Sequence, residues 1–447
     1  MTISLLRTRA IDCRYSGMHD FQDTAPGHHA VQGRQREMKT VVPGSAPAPG
    51  AWLTLAITLA IQAMTAMSLV ALPAMAPVVA AALRVSPALA GVYVAVVYAA
   101  GMVSTLSAGA AVARYGAIRV SQAGLVLCAL GLALCAVPSV WATVLGAILI
   151  GLGYGPITPA SSHLLALTTP AHRMSLVFSV KQTGVPLGGA LAGAIVPSLM
   201  LLAGWQAALL CTAVIALLCA IIAQPLRHAL DADRQLDKPM ALGNLATPVR
   251  LVLAHPALLT LAGCSFVFSI AQLSLTSYVV VYMHETLAYG LVFAGLALSL
   301  SQLGGVAGRV LWGWIADHWF GARRILAVLA FIMLACCGGA VLLQASTPPV
   351  LTLALLFVFG ASAIGWNGVY LAEVARQAPP GMASIATGGT LAFTYFGVVL
   401  GPPIFGAVSG LFGSYRAGFI ALALPVMICG VVLLRTRREV PAVATSA

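Results

Sequence analysis

The chain carries twelve apolar stretches of about 20 residues each, which follow one another with only short polar breaks between them. A hydrocarbon layer about 30 Å thick is crossed by roughly 20 residues of α-helix, so each stretch is long enough to span a bilayer. The same stretches are too long for barrel strands, and backbone groups in lipid must be satisfied within their own segment, which selects helices. The predicted fold class is therefore all-α integral membrane, with twelve transmembrane helices. Composition agrees: 60% of residues are hydrophobic and 8% are charged, more apolar surface than a soluble core absorbs.

The predicted spans run from Trp52 to Met75, Pro87 to Val112, Ile118 to Val137, Trp141 to Leu167, Met174 to Leu201 and Gln206 to Ala223 in a first half. The second half runs from Leu258 to Tyr282, Leu287 to Ile315, Arg324 to Leu343, Val350 to Ala375, Ser384 to Leu411 and Ala417 to Leu434. This divides the chain into a polar extension (1–50), a six-helix half (51–226), a linker (227–255), a second six-helix half (256–435) and a tail (436–447). The extension is rich in Gly, Pro, His and Arg without helical periodicity, so disorder is expected there. It has no apolar h-region or cleavage site, and translation from Met38 would leave the spans untouched.

Basic residues collect on the cytoplasmic side of an inserted helical protein. With both termini inside, that side holds Arg114, Arg119, Arg173, Arg227, Arg234, Lys238, Arg250, Arg323, Arg324, Arg376 and Arg435, against Arg84 and Arg416 outside. The net charge of +12 then follows from topology and anionic inner-leaflet lipid, and gives no support to nucleic-acid binding. A bacterial inner membrane is the expected location and a monomer the expected state. No cofactor is expected, because no Cys/His spacing suits a metal and no nucleophile or acid/base cluster lies in the spans, which argues against an enzyme.

The two halves repeat each other. An offset of 204 positions places Gly91, Gly101 and Gly109 on Gly295, Gly305 and Gly313, and an offset of 213 places Gly184-Val-Pro-Leu-Gly188 on Gly397-Val-Val-Leu-Gly401. Duplicated halves are common among secondary transporters.

The loop after helix 8 reads Gly313-Trp-Ile-Ala-Asp317-His-Trp-Phe-Gly321-Ala-Arg323-Arg324. It resembles the Gly-x-x-x-Asp-Arg-x-Gly-x-Arg-Arg signature of the major facilitator superfamily, and the resemblance extends over roughly Ala51 to Arg438. The first-half counterpart, Gly109 to Arg119, keeps Arg114, Gly116 and Arg119 but has Ala113 in place of the aspartate. Membership implies two rocking six-helix halves. In such a loop Asp317, Arg323, Arg324, Arg114 and Arg119 are gating candidates, since a carboxylate beside arginines and a helix N-terminus can latch the inner side. Gly184-Val-Pro186-Leu-Gly188-Gly189 in helix 5 is similar to the superfamily's antiporter signature and equally serves close helix packing. Ala147, where drug exporters carry an arginine, and a helix 1 without an acidic residue count against a proton-driven drug exporter.

Ionisable groups inside spans are costly and are functional candidates by default. Two stand out, Lys181 in helix 5 and Arg309 in helix 8, both cationic and without a mid-membrane carboxylate to balance them. That asymmetry predicts a cavity that attracts an anion, with snorkelling toward the cytoplasmic interface as the alternative. Gln302 shares a helical face with Arg309, and the peptide from Gly308 to Asp317 is similar to helix 8 of oxalate/formate exchangers and monocarboxylate transporters, in which an arginine binds the substrate carboxylate. Gln62, Gln272, Asn367 and Tyr370 complete the predicted site, because a buried amide needs several partners. The expected substrate is thus a small organic anion, with protons as a candidate coupling ion carried by His163 or Glu373, although electroneutral exchange would need neither. An exporter of drugs or neutral solutes, and a receptor that kept the fold without transport, remain open alternatives at this stage.

Overall fold

The computed structural model describes residues 50–169, 174–237, 246–379 and 382–435. The expected disordered extension, the tail and the middle of the linker lie outside the described residues. The described chain is helical throughout, beginning with α1 (Ala51–Ala71), which a short turn over Pro73–Met75 joins to α2 (Ala76–Leu83). These form one crossing that runs past the predicted end at Met75. Pro73 and Pro77 each sit in the first positions of a new helical segment, where the missing N–H would be unpaired anyway, so they bend the crossing without ending it.

The second and third crossings are α3 (Ala90–Tyr115) and α4 (Ala117–Cys135). The fourth is broken into α5 (Val140–Tyr154) and α6 (Ile157–Thr168), with Pro156 at the break. Next come α7 (Met174–Gln182) and α8 (Gly184–Ile222). Eleven helical stretches among the described residues are long and apolar enough to cross a membrane, and one of them, Val180–Leu230, is 51 residues long. At 1.5 Å per residue this exceeds two bilayer thicknesses, and Gly204 within it has φ 86° and ψ 164°. Glycine tolerates that conformation where other residues do not, so the chain turns there and α8 supplies parts of two crossings. The total is twelve.

The segment α9 (Arg227–Leu230) and α10 (Ala246–Ala254) lead into α11 (Pro256–Val281). Then follow α12 (Leu291–Ile315), α13 (Ala322–Leu342), the broken pair α14 (Pro349–Ala363) and α15 (Asn367–Gln377), α16 (Ala383–Leu411) and α17 (Tyr415–Arg435). The breaks in the fourth and tenth crossings match across the repeat. An even number of crossings brings both ends of the described bundle to one side, the basic end, which also carries Arg114, Arg119, Arg227, Arg323, Arg324 and Arg376.

The halves meet where α8 packs on α12 and α3 packs on α16. A β-carbon added at Gly193 would lie 2.5 Å from the Gly295 carbonyl oxygen, and Ser299 Oγ donates to Ala190 O at 2.6 Å. Small residues thus let the two backbones touch, which in lipid replaces the hydrophobic driving force.

At the basic end the first half is tied by a carboxylate that the loop motif lacks. Asp231, only 1% exposed, accepts from the amides of Ile118 (2.8 Å) and Arg119 (3.1 Å) at the start of α4. Gly116, with φ 93°, leaves room for it, since a β-carbon there would lie 2.2 Å from Asp231 Cγ. Gln235 N donates to Ala113 O at 2.7 Å, so the same segment caps the end of α3. Burial raises the Asp231 carboxyl above its ordinary range, while the two amides and Arg227 pull it back. Asp231→Ala is expected to cost about 1–2 kcal/mol as a lost N-cap. Asp233→Ala, which breaks an exposed pair with His163, is expected to cost under about 1 kcal/mol. Thermal unfolding of the two purified variants checks the order.

Candidate functional site

Lys181 is the penultimate residue of α7, just before the junction with α8 at Thr183, and is 1% exposed. Its Nζ donates to Thr158 O at 3.3 Å and to Ser162 Oγ at 3.4 Å, both on α6. Gln62, fully buried on α1, accepts from Thr158 Oγ1 at 3.3 Å, while its Nε2 has no hydrogen-bond partner. The first-half cluster therefore offers a cation and an amide donor that neutral protein acceptors leave under-used.

Arg309 stands on α12 in the other half. Its Nε donates to Ile364 O at 3.3 Å, in the break between α14 and α15, and its Nη1 donates to Gln182 O across the interface between halves. Helix breaks free carbonyls of this kind, because the following turn no longer claims them. Lys181 and Arg309 are close enough for their charges to repel, and no carboxylate pairs with either among the described residues. An unpaired cation at the centre of a span costs about 2.5–3.5 kcal/mol on the lenient insertion scale. Lys181 is buried and ends on Thr158 O and Ser162 Oγ, while Arg309 is half-buried and reaches two backbone carbonyls.

Between the halves lies a small pocket of about 20 Å³, lined by Tyr98, Tyr154, Gln272, Thr276, Gln302, Ile364 and aliphatic residues from α1, α8 and α11. A separate cleft of about 270 Å³ is lined by Phe178, Gln182, Arg309, Asn367 and Leu371. Arg309 and Gln182 line this cleft, and Arg309 also bonds the carbonyl of Ile364, which lines the small pocket. Gln272 Oε1 accepts from Trp366 Nε1 (3.1 Å) and Asn367 Nδ2 (3.3 Å), which leaves its amide N–H groups as what it can offer a ligand. Gln302 Nε2 contacts Thr276 Oγ1 at 3.4 Å. Tyr370 packs edge-on against Trp366, at 5.1 Å between ring centres. Hydroxyls on these helices bond back to their own helix, as Thr65 does to Ile61 O and Thr276 does to Gln272 O.

Other candidates lie away from the cavity. His163 Nε2 meets Asp233 Oδ2 at 2.7 Å, and Glu373, 2% exposed, accepts from Gln377 Nε2 at 3.0 Å beside Arg376. Asp317 pairs with Arg376 at 3.2 Å within the second half. Arg323 Nε donates to Leu433 O, Arg119 Nη1 reaches Gln122 Oε1, Arg114 lies over the Tyr115 ring, and Arg324 is exposed. Sequence reasoning missed Tyr98 and Tyr154, which stand edge-to-face at 5.6 Å within electrostatic reach of Arg309. Their signal was available, since a mid-span tyrosine far from the interfaces carries a hydroxyl that must find a polar neighbour.

Two six-helix halves enclosing a cavity with polar side chains from both define a carrier-type membrane protein. The sequence matches the family described as the Major Facilitator Superfamily over residues 55–392, and the chain belongs to that superfamily of transporters, which are not enzymes. It is similar to the gentisate transporter of Corynebacterium glutamicum, with 27% identity over 68% of this chain and 70% of that protein. It is also similar to the membrane sensor protein UhpC of Salmonella typhimurium, with 25% identity over 56% and 60%. A probable hexose phosphate transport protein of Chlamydia pneumoniae matches with 29% identity over 41% of each chain. Among solved structures, a bacterial homologue of the human lysosomal transporter Spinster superposes with a TM-score of 0.70 at 14% identity, covering 87% of this chain and 97% of that one. A peptide transporter in complex with sulfate superposes with a TM-score of 0.70 at 16% identity, over 87% and 96%. These likenesses establish the shared fold.

Proposed function

We propose that the protein is a secondary transporter that moves a small organic carboxylate by alternating access of the central cavity. The observation that carries this reading is the pair Lys181 and Arg309, one from each half, held by neutral acceptors alone. A carboxylate reaching them would satisfy both charges and draw the halves together, which favours an occluded state. The buried and unpartnered Gln62 Nε2 beside the Lys181 cluster also suits a ligand rich in acceptors. The similarity to a gentisate transporter adds weight to an aromatic carboxylate, and that to a probable hexose phosphate transport protein is compatible with an anion more generally. The basic end is read as cytoplasmic, with both termini there.

The test is thermal stabilisation of the purified protein across carboxylates (aromatic and aliphatic), sugars, amino acids and cationic drugs, followed by flux in proteoliposomes for whatever stabilises it. Stabilisation by organic cations and not by anions would replace the anion reading with that of a drug or neutral-solute transporter. The similarity to a sensor protein favours a second reading, a receptor that binds the anion without moving it, and flux separates the two.

A further inference from the structure

The small pocket between the halves has a size that selects its occupant. About 10–15 Å³ of such space admits one water molecule, so about 20 Å³ takes one water, or one ion little larger, and excludes the body of an organic solute. Beside its aliphatic side chains the lining has Tyr98, Tyr154, Gln272, Thr276 and Gln302, with no Asp or Glu among the described residues.

These polar groups are rich in donors. The indole of Trp366 can only donate, so its bond to Gln272 Oε1, together with that of Asn367 Nδ2, fixes which end of the amide is oxygen and leaves the NH2 end for a ligand. Thr276 gives its proton to Gln272 O at 2.9 Å and therefore accepts from Gln302 Nε2 at 3.4 Å, which leaves Gln302 a second N–H. Tyr98 and Tyr154 add two hydroxyls, and the edges of their rings carry partial positive charge. Arg309 lies within electrostatic reach of both tyrosines and bonds the carbonyl of Ile364, itself a lining residue. A cation in the pocket would meet the charges of Arg309 and Lys181 with no carboxylate to offset them, and a neutral water gains little from that field.

We propose that this pocket is a second anion site, which binds a halide ion of the size of chloride and so offsets part of the charge of Lys181 and Arg309 in the carrier without its solute. A buried charge is tolerated when it is both hydrogen-bonded and paired, and a halide here has neutral donors around it and two cations nearby, whose attraction is strong away from bulk water. The site is distinct from the cleft beside Asn367 and requires no assumption about which solute is carried.

The full chain is purified in sodium isethionate, an anion too large for the pocket, and chloride or bromide replaces isethionate stepwise at constant ionic strength. Both halides are expected to raise the unfolding temperature and to do so saturably. Crystals grown with sodium bromide should show an anomalous peak in contact with Gln272 and Tyr98. Gln272→Glu keeps an oxygen for Trp366 and Asn367 and replaces the NH2 group by a second carboxylate oxygen, so the halide affinity read from the titration should fall roughly tenfold or more. Tyr98→Phe removes one hydroxyl and should weaken it in the same direction, which keeps a variant available if Gln272→Glu fails to fold. Halide stabilisation in a protein that no carboxylate stabilises would uphold this site while removing the carboxylate reading. An unfolding temperature in wild type that ignores the halide, a bromide peak confined to the cleft beside Arg309 and Asn367, or an unchanged halide affinity in Gln272→Glu overturns the proposal.

Discussion

Arg309→Lys is expected to reduce carboxylate transport by roughly 10- to 150-fold although the charge is conserved. The guanidinium reaches Ile364 O with Nε and Gln182 O with Nη1, one carbonyl in each half. A lysine ammonium is a point charge on a flexible stem and cannot hold both while presenting a face to a carboxylate. Hydrogen bonds to charged groups are worth about 1.5–3 kcal/mol, which sets the range. Uptake into proteoliposomes at matched protein density measures it. Lys181→Arg should be milder, since Lys181 donates to Thr158 O and Ser162 Oγ on the same side. Normal uptake by Arg309→Ala would remove Arg309 from the site altogether.

Tyr278→Phe is expected to shift the protein toward the state open at the end opposite the basic one, by roughly 5- to 150-fold in population. Tyr278 is fully buried on α11. Its hydroxyl donates to Ala88 O (2.5 Å) and is 3.0 Å from Pro402 O, and it accepts from Gly91 N at 3.1 Å. A single oxygen thus joins the start of α3 in the first half to α11 and α16 in the second. Removing it leaves buried partners unsatisfied, at about 1–3 kcal/mol, and the ring keeps its stacking on Phe405 at 5.0 Å. Spin-label distances between the ends of α3 and α16, with and without substrate, report the shift. An unchanged distance distribution would show that the packing of α8 on α12 closes this end without help from the hydroxyl.

The helices were readable because lipid demands long apolar runs, and the two cations because nothing apolar explains them. The breaks were less readable. Both broken crossings were expected as unbroken spans; Pro156 lies at the break in the fourth, but no proline lies at Ile364–Trp366 in the tenth, where the interruption is matched only through the repeat. Asp231 looked like one more acid in a polar linker, because its partners are amides more than a hundred positions away and a backbone partner leaves no mark in sequence spacing. Asp317 was recognised from its motif, yet the side chain it meets, Arg376, comes from α15 and could not be named from the loop. Tyr278 lies inside a predicted span, and only the convergence of three backbone groups on its hydroxyl distinguishes it.

On the proposed reading, the unbalanced pair of cations would also make the transport site an electrical element. Each elementary charge carried through 100 mV is worth about 2.3 kcal/mol, so an empty carrier that turns Lys181 and Arg309 from one side to the other exchanges work with the membrane potential. A bound monoanion cancels part of that charge and a dianion cancels both cations. The loaded and empty halves of the cycle therefore feel the voltage differently, and the valence of the substrate decides which of the two it drives.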